Sequence, residues 1–187
     1  GGGSISAYLG ALGVSLGTMV ANLSAHKAGW DNRWKEFSDH AESGIAIQKD
    51  LLAFVDEDTK AFNGIMEAFG MPKGSDEEKA VRKAAIEEAT RHATEIPLKV
   101  MKRANDAFEL ITAMAESGNP NSVSDAGVGA LCIRSAVMGA FLNVKINAAG
   151  LEDREFASRV LEEGSEIEAE AIRKEQEILQ IVNKKIG

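Results

Sequence analysis

Apolar residues recur along almost the whole 187-residue chain at spacings of three and four, and no stretch alternates apolar with polar long enough to nominate a strand. The pattern therefore predicts an all-α protein. Its interruptions are short: a turn at Gly29 to Asn32, the Gly70, Pro72, Gly74 stretch, GNPNS at 118–122, and Gly150. They divide the chain into an antiparallel bundle of about six helices, near 4–26, 33–69 with a bend at Gly44, 75–94, a fourth ending at Gly118, 124–149 and 152–185. Asp31 or Asn32 is expected to cap the second helix, and Ser75 with Glu78 has capping-box spacing. Pro97 either breaks or kinks the third helix. The length suits a single domain over 1–187.

The hydrophobic seam of the second helix holds an anomaly. Leu51, Val55, Phe62, Ile65 and Phe69 follow the helical repeat, and the seat left between Val55 and Phe62 is taken by Asp58. A carboxylate removed from water without a partner costs roughly several kcal/mol, so Asp58 needs a ligand, a cation, a proton or a helix N-terminus. Asp56 lies about 200° around the helix with Lys60 four residues on, the arrangement of a solvated ion pair. The two aspartates are therefore not a catalytic dyad.

Two other helices carry unusual faces. Gly10, Gly13, Gly17 and Ala21 form a small-residue face on the first, although glycine inside a helix costs about 1 kcal/mol relative to alanine. A neighbour must approach that face closely. On the fifth, Asp125, Gly129, Cys132, Ala136, Gly139, Asn143 and Asn147 share one stripe, either the wall of a groove or a tightly packed interface with asparagines bonded across it. The last helix is rich in Glu, Lys and Arg around Val160, Ile167, Ile178 and Val182, the pattern of an outer, solvated element.

Composition narrows the partners. A net charge of −8 and a pI near 5.0 argue against nucleic acid or an anionic membrane. An anionic small molecule needs only a local patch, for which Lys99, Lys102, Arg103, Arg134 and Lys145 are candidates. The most apolar stretches, 5–23 and 128–151, are interrupted by Gly, Ser, Asn, Arg and Lys, so no membrane span is expected, nor a signal peptide. Cys132 reads as a small core hydrophobe, compatible with a reducing cytoplasm. His26, His40 and His92 have no ligand spacing, so no metal site is expected, and Trp30 with Trp34 reads as packing.

Three segments carry a resemblance: GGGSISAYLGALGVSLGTMVANL at 1–23, LLAFVDEDTKAFNGIMEAFGMPK at 51–73 and GNPNSVSDAGVGALCIRSAVMGAFLNVKIN at 118–147. In order and spacing they resemble the cyclodeaminase domain of the formiminotransferase-cyclodeaminase family. The resemblance implies a helical homodimer acting on one-carbon tetrahydrofolates, converting 5-formiminotetrahydrofolate to 5,10-methenyltetrahydrofolate with release of ammonia. Stand-alone relatives are also described as methenyltetrahydrofolate cyclohydrolases. The family's D-x-D-x-x-A-F motif is here Asp56-Glu57-Asp58-Thr59-Lys60-Ala61-Phe62, which puts the active-site aspartate at Asp58. The Gly-rich start matches the family's lead into its first helix, ahead of which relatives usually carry a short helix.

On this resemblance, Asp58 is expected to take the N10 proton or stabilise the developing cation. The amides of Gly2, Gly3 and Ser4 would hold an anionic or carbonyl group of the substrate, Asn143 and Asn147 would read the pterin edge, and Asp125 would accept from its amino groups. No cofactor is expected beyond the folate substrate itself. The competing readings from the residues alone are a non-catalytic folate-binding module and a helical scaffold.

Overall fold

The computed structural model describes all of residues 1–187 and contains five long helices: α1 (Gly2–Ala25), α2 (Trp34–Gly70), α3 (Asp76–Ser117), α4 (Val123–Ala149) and α5 (Arg154–Ile186). Single turns of 3-10 helix at Asp31–Arg33 and Pro120–Ser122 lead into α2 and α4. Gly29, at φ 83°, turns the chain after α1. The expected Asp31 or Asn32 cap is absent: Arg33 holds the N-cap position of α2 with no side-chain bond, because both residues are used in the 3-10 turn. The Ser75–Glu78 capping box is present at the start of α3.

Five helices replace the expected six because Pro97 lies inside α3 without ending it. Proline at this position removes the N–H that would bond the carbonyl of Ala93. The side-chain amide of Asn147, on α4, donates to that carbonyl at 2.8 Å instead. With the lost acceptor satisfied from a neighbouring helix, α3 continues for 42 residues. α2 likewise runs unbroken through Gly44, where the absent side chain admits Leu110, whose Cδ2 would stand 2.8 Å from a Cβ, and Thr18.

α1 packs between α2 and α4, α3 closes against both of these, and α5 covers α3 and α4. The core holds Val14 and Val20 of α1, Phe37 and Leu51 of α2, Phe108 and Ile111 of α3, Ile133 and Val137 of α4, and Ile178 of α5. α1 and α4 are antiparallel and nearly touch. A Cβ on Gly13 would lie 2.9 Å from both Cys132 Cβ and the carbonyl oxygen of Gly129, so the small-residue faces are explained by packing within the subunit. α5 is the outer element its sequence suggests, with Val160, Ile178 and Val182 buried.

α1 and α4 also contain the two segments long and apolar enough to span a membrane, contrary to the expectation from their interrupted composition. About half of each such segment, 56% and 50%, is buried inside the bundle. Their apolar character is in large part that of core helices.

Candidate functional site

α1 begins partway along the bundle, level with the middle of α2, and its N-terminus lies between Asp58 of α2 and Asn143 of α4. The first backbone amides of a helix have no partner inside it and carry partial positive charge. Asp58 answers that demand here. Its Oδ2 accepts from the Ser4 amide at 2.8 Å and from the Ser4 hydroxyl at 2.7 Å. Thr59 Oγ1 stands 3.4 Å from the same hydroxyl and also donates to the carbonyl of Val55.

The carboxylate approaches α1 this closely because residue 3 has no side chain. A Cβ on Gly3 would overlap Asp58 Oδ1 and lie 2.7 Å from its Cγ. No arginine or lysine pairs with Asp58. Of the partners the sequence left open, the structure selects the helix N-terminus.

The surrounding seam differs from its sequence reading. Phe62 and Phe69 are 59% and 50% exposed, while Ala61, Ile65 and Ala68 face α3. A three-or-four repeat fits either set, and small residues win where α2 runs beyond the end of α1 and packs on α3 alone. Asp58 keeps its inward seat but is half-buried. Asp56 and Lys60, both exposed, form no ion pair.

The structure brings together some of the expected site residues and separates others. Gly2 lies against Asn143, whose Nδ2 would be 3.1 Å from a Cβ at residue 2, so Asn143 joins Gly2, Gly3, Ser4 and Asp58 at the start of α1. Its Nδ2 donates to the carbonyl of Gly139 at 2.9 Å. The expectation that Ser4 presents its amide to a substrate is corrected, since both of its donors are spent on Asp58. Asn147 has a structural partner on α3, its amide nitrogen donating to the carbonyl of Ala93.

Asp125 is displaced altogether. It stands in the first turn of α4, half-buried, 18 residues before Asn143. At 1.5 Å per residue, that is about 27 Å along the helix.

The basic residues do not gather here either. Lys102 pairs with Glu163, Arg103 with Asp50 and Asp106, and Lys145 covers the Phe141 ring. Lys99 and Lys102 line a separate groove of about 450 Å³ between α3 and α5. Trp30 stacks on Phe37 with ring centres 5.6 Å apart while Trp34 is 57% exposed, so the tryptophans form no pair. Burial pushes the Cys132 thiol up, which suits a packing residue. No cluster of His, Cys, Asp and Glu is arranged to hold a metal ion.

Ser4 is the residue whose role the sequence reading missed. A hydroxyl in the first turn of a helix, beside glycines that admit a carboxylate, was the available signal.

Comparison with known proteins agrees with this architecture. The sequence model of the family described as formiminotransferase-cyclodeaminase matches residues 1–166. A methenyltetrahydrofolate cyclohydrolase of Methylorubrum extorquens is 37% identical over 187 residues, covering 100% of this chain and 90% of the relative. A formimidoyltransferase-cyclodeaminase of Gallus gallus is 32% identical over 89% of this chain, which spans only 32% of that longer protein. The crystal structure of a formiminotetrahydrofolate cyclodeaminase from Thermotoga maritima superposes with a TM-score of 0.87 at 26% identity, covering 100% of this chain and 89% of that one.

Proposed function

The chain belongs to the formiminotransferase-cyclodeaminase family, and on that premise we propose that it closes 5-formiminotetrahydrofolate to 5,10-methenyltetrahydrofolate with loss of ammonia. The observation that carries the reading is the half-buried carboxylate of Asp58, held on the N-terminus of α1 by the amide and hydroxyl of Ser4. It is an enzyme of folate one-carbon chemistry.

In the reaction, N10 attacks the formimino carbon, forming the second ring bond. N10 gives up its proton, the bond from carbon to the departing nitrogen breaks, and the carbon is left as the methenyl cation. Starting from the protonated formimino group, the proton lost by N10 is the one the leaving nitrogen needs to depart as ammonia. Asp58 takes that proton and returns it, and its charge opposes the cation forming beside it. Ser4 fixes Oδ2, and Gly3, having no side chain, admits Oδ1 beside it, so the carboxylate is held in one orientation at the start of α1. The amides of Gly2 and Gly3 belong to the first turn of the same helix, which has no side-chain cap, and suit a carbonyl of the substrate. Asn143, against Gly2, reads the hydrogen-bonding edge of the ring.

A second reading is favoured by the Methylorubrum extorquens relative, a cyclohydrolase matched over 90% of its length. In that reaction water adds to the methenyl carbon and the same carboxylate takes one proton from it; the carbon–N5 bond then breaks as the remaining hydroxyl becomes a formyl carbonyl on N10 and passes its proton to N5, with one proton released overall. We place the protein in the cytoplasm as a homodimer, a reading supported by the unpaired Cys132 and by the exposed apolar stripes on α1 and α4.

The test is the absorbance of methenyltetrahydrofolate with each folate offered separately. Its appearance from the formimino compound supports the first reading, and accelerated loss from the methenyl compound supports the second. No change in either cell leaves a binding module or scaffold and overturns both.

A further inference from the structure

We propose that the groove between α3 and α5 is a second ligand site, shaped for a small amphipathic monocarboxylate, an apolar body ending in one carboxylate. It is separate from the chemistry at Asp58, because no residue at the start of α1 lines this groove.

The register of the two helices builds the space. Arg91 bonds Asp153 at 3.0 Å and Lys102 pairs with Glu163, so α3 and α5 run in the same direction and residues 95–102 lie beside 156–163. Between these two bridges the helices leave about 450 Å³, within the ~300–1,000 Å³ typical of small-molecule sites. Leu98, Phe156 and Val160, all buried, form an apolar floor. The guanidinium of Arg91 lies over the Phe156 ring, 4.2 Å from its centre, at one end, and the Lys102–Glu163 bridge crosses the other. Closed at both ends by bridges between the helices, the groove suits a compact molecule and not a peptide running along it.

The middle of the groove is where charge is left over. Lys99 of α3 and Arg159 of α5 face each other there, both exposed, and neither takes part in an ion pair. Glu95, one turn before Lys99, has its carboxylate 4.0 Å from Arg91 instead. The Arg159 guanidinium leans toward the floor, 5.3 Å from the centre of the Phe156 ring. Two like charges across a groove repel each other, and a carboxylate between them removes that repulsion and accepts a charge-assisted hydrogen bond from each.

The lining also sets the charge and shape of the ligand. Lys99, Lys102 and Arg159 stand against Glu95 and Glu163, which leaves one positive charge to balance. A singly charged anion does so, whereas a dianion such as phosphate would face the two glutamates uncompensated. An inorganic anion would also leave the floor wet, while a ring or short alkyl chain laid on Leu98, Phe156 and Val160 removes apolar surface from water.

The test titrates phenylbutyrate into the wild-type protein and follows the methyl groups by NMR. The methyls of Leu98 and Val160 should shift together and saturate, and the melting temperature should rise with ligand. Phenylbutanol, which has the body without the charge, and acetate, which has the charge without the body, should each bind at least about tenfold more weakly. Lys99→Gln and Arg159→Gln alter exposed side chains, and the double variant should lose about tenfold or more in affinity for phenylbutyrate. Raised salt should weaken the wild-type affinity in the same direction. No saturation up to about 10 mM, equal binding of phenylbutanol, or an unchanged affinity in the double variant would overturn the site. Saturating shifts confined to methyls elsewhere, such as Val14 or Leu51, would overturn it as well.

Discussion

Gly3 and Asp58 are matched in shape: the hydrogen at Gly3 Cα leaves the space that Asp58 Oδ1 fills, and a methyl there would stand 2.7 Å from the carboxyl carbon. The helix N-terminus and the carboxylate are 54 residues apart in sequence at the Ser4 bond, so the fold itself assembles the charged group and its support. The carboxylate is held by backbone and hydroxyl donors with no cation beside it.

Replacing Gly3 with Ala should separate stability from activity. The clashing atoms are the free end of a side chain, so the carboxylate can swing away and the bundle should melt within a few degrees of wild type. The displaced Asp58 would no longer face N10, and a misplacement of about 1 Å typically costs on the order of a hundredfold in rate. Melting and methenyltetrahydrofolate assays on the same preparation decide it. An Ala variant at the wild-type rate would remove Asp58 from the chemistry.

Asp58→Asn keeps the shape and an oxygen that can accept from Ser4, but removes the charge on the helix N-terminus. That interaction is worth about 0.3–1 kcal/mol in partly exposed settings, so the melting temperature should fall by only a few degrees. Turnover should fall by about a hundredfold or more, the scale of losing a general base or charge stabiliser. A strongly destabilised variant with the parental rate per folded molecule would make Asp58 a structural cap and nothing more.

Asp153 sets a pH dependence away from the site. The Phe156 amide that it caps, followed by the Arg91 guanidinium, holds its carboxyl below the usual value of 3.8. A folded-state value below the unfolded one contributes stability above the unfolded value, lost as pH falls through the folded one. Asp153→Asn preserves the capping oxygen and removes the charge. Wild type should therefore melt above the variant at pH 7, with the gap closing as pH falls below about 4. A gap unchanged down to pH 3 would place its origin elsewhere.

Much of this was legible in the chain. The helical repeat marked all the long elements, the glycine faces marked the close approach of α1 to α4, and the inward seat singled out Asp58. What escaped was tertiary. The repeat could not choose between Phe62 and Ala61, because that depends on where α1 stops. Spacing made Asn147 a site candidate because nothing local reveals that its amide serves α3. The separation of Asp125 from Asn143 was readable, since a helix fixes distance along its axis, and the shared stripe alone did not justify grouping them.

The Asn147 bond makes the sharpest structural prediction. If Asn147 exists to satisfy the carbonyl that Pro97 leaves without a donor, its worth should depend on the proline. Asn147→Ala alone strands the buried Ala93 carbonyl and should cost about 1–3 kcal/mol. Pro97→Ala restores an N–H four residues after Ala93, so that carbonyl regains its bond within α3. In that background, Asn147→Ala should cost appreciably less, and the cycle of four proteins should show a coupling of at least about 0.5 kcal/mol. Denaturant unfolding of the set measures it. Additive costs would mean that Asn147 stabilises the bundle through packing, and that α3 runs past Pro97 for another reason.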